Sequence, residues 1–227
     1  MPALQSLDGP VVWIVDTRNT PGSCEEWDAW LTERERNRAA SFKFERLASF
    51  YRAVHAGVRL HVAALARVQP NQVAIDQLPC PRCGSVRHGP PSLVVDGVHL
   101  HFSLSKAQPY CAFAIAPFPV GVDVERSDAS SIAGELASDA FTARELDAIR
   151  AHGPHEALRL WVRKEALVKA RGIGFADAPS KICAIDDVHA CEDGTWHVRD
   201  IVQGEALQVA LCVPLERAEA PVCVKAP

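Results

Sequence analysis

Val120-Gly121-Val122-Asp123-Val124-Glu125-Arg126 alternates apolar residues with acids at a period of two. A strand with that pattern turns Val120, Val122 and Val124 to the core and Gly121, Asp123 and Glu125 to the opposite face. Strand rise puts the Cα atoms of Asp123 and Glu125 about 7 Å apart. Side by side the two carboxylates repel, and a cation, basic side chains or water must offset the repulsion. Gly121 is expected to leave the space beside Asp123 open to a ligand. Any half-exposed strand alternates in this way, so the strand by itself does not distinguish a site from a solvated face.

A second stretch, Leu158-Arg159-Leu160-Trp161-Val162-Arg163-Lys164-Glu165-Ala166-Leu167-Val168-Lys169-Ala170-Arg171-Gly172, makes that distinction. Its periodicity predicts a helix over 154–171, ended by Gly172. Leu158, Trp161, Val162, Glu165, Val168 and Lys169 share one face; Leu160, Lys164, Leu167 and Arg171 line the adjacent stripe. Glu165 stands among apolar neighbours and requires a partner. Lys169 at i+4 would serve as a routine helix pair. The alternative is that Glu165 joins Asp123 and Glu125 as the third oxygen ligand of one cation. Three carboxylates favour a hard ion, Mg²⁺ or Mn²⁺, over zinc. Mg²⁺ held by few carboxylates completes its shell with water and substrate phosphates, and Lys164 and Lys169 would neutralise phosphate oxygens. The chemistry implied is phosphoryl or pyrophosphate handling.

Outward from these segments the chain reads as α+β. Val11 to Val15 is a short strand, followed by a helix over 25–38 that carries Arg34, Arg36 and Arg38. A long helix over 45–68 is stopped by Pro70, and 78–91 is a loop dense in Pro, Gly and Cys. In the strand 98–105, Val98, Leu100, Phe102 and Leu104 face one way and His99, His101, Ser103 and Ser105 the other. Strands at 111–116 and 120–126 follow. After a loop and a short helical stretch come the second long helix and strands at 181–186, 195–202 and 206–213. Each half thus pairs one principal helix with a few antiparallel strands; the layout repeats, without a repeat of residues. The tail after 215 gives no clear signal.

The chain has 227 residues with 24 basic and 28 acidic side chains, a net charge of −4, which argues against a general nucleic-acid binder. No apolar run approaches the ~20 residues of a membrane span, and the first residues lack the features of a signal peptide. A soluble, cytoplasmic protein is expected. Of eight cysteines, Cys111, Cys183, Cys191, Cys212 and Cys223 read as small hydrophobes in a reducing compartment. Cys80-Pro81-Arg82-Cys83-Gly84, followed by His88, is half a zinc ribbon without its second half.

Gly121-Val122-Asp123-Val124-Glu125-Arg126 together with Trp161-x-x-Lys164-Glu165-Ala166-x-x-Lys169 resembles the signature pair of the 4′-phosphopantetheinyl transferases. Length and two-part layout are similar to the surfactin-type (Sfp-like) branch. The resemblance implies a pseudo-dimer of two similar α/β subdomains, each a small, mainly antiparallel sheet on a long helix. Residues 1–118 would form the coenzyme A nucleotide side and 119–227 the part with the Mg²⁺ motifs. It also implies transfer of the 4′-phosphopantetheine arm of coenzyme A to a serine of an acyl or peptidyl carrier protein, releasing adenosine 3′,5′-bisphosphate. Carried over by position, Asp123, Glu125 and Glu165 would hold Mg²⁺, Lys169 would steady the leaving phosphate, and Lys164 would contact phosphate oxygens. Glu165 or a Mg²⁺-bound water would take the serine proton. Ser105, Lys106, Arg38, Arg46, Arg52 and His88 fall on the coenzyme A side. The chain departs from the family pattern where Lys106 replaces a histidine, Pro90 a basic residue, and Leu47-Ala48 an Asp-Arg pair. Carrier docking would fall beside the cleft, with 132–149, Phe141 and Leu146 as a flank. A monomer is expected. The alternatives are a degenerate homologue that binds coenzyme A or a carrier without turnover, and a metal-dependent phosphate-ester hydrolase.

Overall fold

A computed structural model describes residue 4 and residues 6–85, 89–128, 138–174, 178–203 and 206–225. His88, and residues 132–137 of the proposed carrier flank, lie outside them. The chain is a mixed α+β protein. In order it forms β1 (Val11–Asp16), α1 (Cys24–Trp30), α2 (Glu33–Ala40), α3 (Glu45–Ala66), β2 (Val73–Gln77), β3 (Pro91–Val95), β4 (Val98–Ala107), β5 (Tyr110–Ala116) and β6 (Gly121–Arg126). There follow α4 (Ala143–His152), α5 (Pro154–Arg171), β7 (Val188–Cys191), β8 (Gly194–Gln203), β9 (Leu207–Pro214) and β10 (Cys223–Lys225). One sheet runs β10-β1-β5-β4-β3-β2 and the other β6-β9-β8-β7; all neighbours are antiparallel except the parallel pair β1–β10.

The elements stack in layers. Val54, Val58 and Val62 of α3 pack with Trp13, Leu93, Leu100, Phe102 and Phe113 on one face of the first sheet. The other face of that sheet offers Val12, Ile14, Ala112, Ala114 and Ala116 to Val122, Val124, Val209, Leu211 and Val213 of the second sheet. Beyond it, Leu158, Val162, Ala166 and Ala170 of α5 cover Trp196, Val198, Ala210 and Cys212. The valines of β6 therefore face a core and its acids face α5, as the period of two requires.

Several expectations are corrected. The single helix over 25–38 is two, because Thr32-Glu33-Arg34-Glu35 is a capping box that starts a new helix: Glu35 N–H reaches Thr32 Oγ1 and the Glu35 carboxylate takes Thr32 N–H. No strand forms at 181–186. There Glu145 accepts Ala184 N–H and Arg163 donates to Ala184 O, so side chains serve the backbone in place of a ladder. β6 edges the second sheet, and the hydroxyl of Ser103 in β4 of the first accepts Val122 N–H at 3.0 Å. The tail is not featureless, since β10 joins β1. Cys223 is exposed, unlike the buried Cys111 and Cys212.

A residue-level repeat does exist. Leu31-Thr32-Glu33-Arg34-Glu35 and Phe141-Thr142-Ala143-Arg144-Glu145 each open a helix with a capping box. Each glutamate then meets a buried cation of the following long helix: Arg59 on Glu35 at 2.8 Å, and Lys164 on Glu145 at 2.7 Å.

Candidate active site

β6 is pressed against α5 at Gly121. A Cβ at this position would run into Ala166 O and Ala170 N, so the missing side chain admits the helix backbone, not a ligand. That contact corrects the expectation of open space and sets the site's geometry. Two residues along β6, Asp123 faces the helix and is 2% exposed. Its Oδ1 accepts from Ser105 Oγ at 2.6 Å and from Lys169 Nζ at 2.6 Å. Three elements, β4, β6 and α5, thus converge on one carboxylate.

The surroundings are short of positive charge. Burial pushes the Asp123 carboxyl above its usual range, against the pull of Lys169 and Ser105. Glu125 is raised to about 7 by burial and then by the charge of Asp123, with Glu165 adding to the push and Lys169 opposing it. Glu165 is also raised to about 7, first by burial and then by Asp123. Lys169, the helix partner at i+4, is bonded to Asp123, so its charge is shared among three acids.

A hard divalent ion fits this donor set. Asp123 Oδ2 is buried without a hydrogen-bond partner, a costly state for a carboxylate oxygen, and two glutamates beside it carry unmet negative charge. Among the described residues no three His, Cys, Asp or Glu side chains are drawn into a closed ligand cluster. Holding an ion would require the two glutamates to turn toward Asp123.

One residue after Ser105 on β4, Lys106 lines a cleft of about 800 Å³ with Arg34, Arg38, Tyr51, His55 and Gln77 among others. Lys106 Nζ sits 5.4 Å from the centre of the Tyr51 ring. Burial, with Lys169 and Arg38 nearby, pulls its ammonium below the usual lysine range. Glu35 forms the floor: burial alone would raise its carboxyl, but His55, Arg59 and the Thr32 N–H hold it down at about 2. A cleft with three cationic side chains and an aromatic ring has the chemistry of an anionic, ring-bearing ligand.

Of the expected site residues, Ser105 and Lys169 bond Asp123, Glu125 and Glu165 lie near enough to feel its charge, and Lys106 and Arg38 line the cleft. Ser105 touches the acid itself. Lys164 stands apart: it is 0% exposed, and its three donors go to Glu145 Oε2, Ala140 O and Pro179 O. An ammonium has three donors, so Lys164 keeps none for a phosphate. Arg52 is taken by Asp28 and Glu45, and Arg46 lies over the exposed ring of Phe44. Neither lines the cleft. Trp161 packs beside Leu160 and Phe141, and Phe141 and Leu146 of the proposed carrier flank belong to that same apolar cluster.

Arg34, Tyr51, His55 and Gln77 were missed. One signal was present for Arg34: once a helix starts at Thr32, Arg34 and Arg38 fall at i and i+4 on one face. No curated protein sequence matches the chain. Residues 119–213, the segment that carries Asp123, Glu125, Glu165 and Lys169, match the family model described as the 4′-phosphopantetheinyl transferase superfamily.

Proposed function

We propose that the chain transfers the 4′-phosphopantetheine arm of coenzyme A to a serine hydroxyl of an acyl or peptidyl carrier protein, as a cytoplasmic, Mg²⁺-dependent enzyme of the Sfp-like branch. The observation that carries this reading is Asp123, buried and bonded to Ser105 and Lys169, with two glutamates raised by burial and by its charge, and with Lys106, the residue after Ser105, lining a cationic cleft. We read the two halves, 1–118 and 119–227, as copies of one α/β unit, on the strength of the repeated capping box and buried ion pair.

Asp123, Glu125 and Glu165 would hold the ion. Bound there, the ion would supply Lewis acidity toward a substrate pyrophosphate. The remaining roles belong to the chain. Lys169 would steady the negative charge that grows on the leaving phosphate, and a fixed ammonium in that role stabilises the transition state more than the ground state. Glu165, on the α5 face it shares with Lys169, is the candidate to take the serine proton, with an ion-bound water as the alternative. Lys106, Arg38 and Arg34 would hold the 3′-phosphate and position the nucleotide, Lys106 acting as a point charge. Lys106→Met is expected to raise KM for coenzyme A by about tenfold or more while leaving KM for 3′-dephospho-coenzyme A unchanged.

The decisive experiment incubates the protein with Mg²⁺, coenzyme A and fatty-acid, polyketide and peptidyl carriers, and weighs the carriers. A gain of one phosphopantetheine, abolished by Asp123→Ala, is expected. Retained coenzyme A with no gain on any carrier would replace this reading with a binding protein.

A further inference from the structure

The cysteine pair that the proposed reaction leaves unused has an ordered geometry. Between β2 and β3 the described residues, 78–85 and 89–90, form neither helix nor strand. Connections of that length usually carry a function or a staple. Leu78 N–H donates to Pro90 O at 2.9 Å and closes the base of the loop. Above it, Cys80 N–H donates to Ser85 O at 2.9 Å and Gly84 N–H to Cys80 O at 2.8 Å, which folds 80–85 into one tight turn. Gly84 takes φ +71°, the left-handed conformation that favours glycine, directly after Cys83. The N–H groups of Cys83 and Arg82, and then the Cys83 thiol, pull the Cys80 thiol below its usual range. Cys80 is 3% exposed and Cys83 is exposed.

Each of these features suits a thiolate. Backbone N–H groups aimed at sulfur stabilise negative charge, and a disulfide sulfur has no such charge to offer them. The turn also holds the two cysteines at i and i+3 of one short, hydrogen-bonded stretch of chain. Soft thiolates select thiophilic divalent ions over Mg²⁺.

We propose that Cys80 and Cys83 form a site for a thiophilic divalent cation of the zinc class, independent of the carboxylate site on β6 and α5. Each thiol gives its proton to solvent as its sulfur binds the ion. Among the described residues no group of three His, Cys, Asp or Glu gathers there, and ligands beyond the two sulfurs would complete the shell. An ion held by two thiolates in this way is removable by chelators.

The position gives the site a consequence. Pro79, Pro81 and Pro90 of this loop form one wall of a crevice of about 430 Å³ that Lys169 also lines. Gly89 and Pro91 border the cationic cleft. A Cβ at Gly89 would strike Leu78 O and Cys80 N, so the turn packs directly on the floor of that border. A bound ion would stiffen the wall that the two cavities share.

The test loads the reduced, full-length protein with Zn²⁺, desalts it and measures metal by mass spectrometry. About one zinc per chain is expected, lost in Cys80→Ser and Cys83→Ser and kept in Cys24→Ser and Cys223→Ser. With Co²⁺ in place of zinc, a thiolate charge-transfer band should appear in the near ultraviolet and vanish in the first two variants. Should those variants fold poorly, the wild type still decides. Zn²⁺ must slow alkylation of Cys80 and Cys83 about tenfold or more, while exposed Cys24 reacts as before. Zinc retained by the Cys80 and Cys83 variants, absence of zinc from the reduced wild type, or unprotected thiols would each overturn the proposal.

Discussion

Lys164 and Lys169 lie on one helix and carry the same charge, yet their surroundings give them different tasks. Lys164 is enclosed with Glu145, and both are 0% exposed. Removing one partner of such a pair leaves the other buried and uncompensated, at a cost of about 3–5 kcal/mol. Lys164→Met should therefore lower the urea midpoint strongly, and adding Glu145→Gln, which removes the stranded charge and keeps an acceptor for the N–H groups of Thr142 and Ala184, should recover part of the loss. Lys169, part-exposed, holds Asp123 and faces the proposed reaction. Lys169→Met should reduce kcat by about 10²-fold and disturb unfolding less than Lys164→Met does. The reverse pattern in the two variants would exchange their roles. Glu35 gives a prediction with a sign. Its folded carboxyl is held at about 2 against an ordinary 4.5, so its contribution is fully present above about pH 5 and fades as pH falls through 2. The difference in unfolding free energy between wild type and Glu35→Gln should stay level from neutrality to pH 5 and then shrink. A difference that grew on acidification would show the carboxyl to be raised instead.

At the scale of elements, the contact between β6 and α5 decides whether the acids meet. Gly121→Ala puts a methyl where Ala166 O and Ala170 N stand, and both are backbone atoms that no rotamer change can move aside. Either β6 or α5 must shift, at about 1–3 kcal/mol, and Glu165 and Lys169 would move with the helix. The variant should lose arm transfer by more than its lowered thermal midpoint accounts for. Full activity in a destabilised Gly121→Ala would mean that the helix position is not critical. Both elements were legible in the sequence because their signals are local: a period of two in 120–126, and of three and four in 154–171. The role of Gly121 was not, since what fills its space comes from residues 45 and 49 positions further on. β2 and β3 were illegible for a related reason. Val73-Ala74-Ile75-Asp76-Gln77 and Pro91-Ser92-Leu93-Val94-Val95 are short, and their strand character comes from pairing with each other and with β4. The cationic cleft draws on α2, α3, β2 and β4, so no one window of sequence contained it.

For the molecule as a whole, the layer between the sheets governs how the halves behave. Two units joined in one chain commonly unfold in separate steps. Here Val12, Ile14, Ala112, Ala114 and Ala116 from one sheet meet Val122, Val124, Val209, Leu211 and Val213 from the other, none more than 4% exposed. Three alanines in register on β5 keep the first sheet's surface low, so the valines of β6 and β9 pack close to its backbone. Unfolding either half alone would leave the other with an exposed apolar sheet face, and would also strip β10 from β1 or Ser103 from Val122. The free energy of that exposed face couples the two transitions. Trp13, stacked on Phe113 beneath α3, and Trp196, buried under α5, report the two halves separately. In variants that retain only one of these tryptophans, with the other four tryptophans replaced by phenylalanine, the urea midpoints of both should coincide with each other and with the far-ultraviolet signal. Midpoints that separated, with Trp196 lost before Trp13 or after it, would mean that the layer is a contact between two independently stable units, and the charge-starved acids of β6 would then lie at a joint able to open.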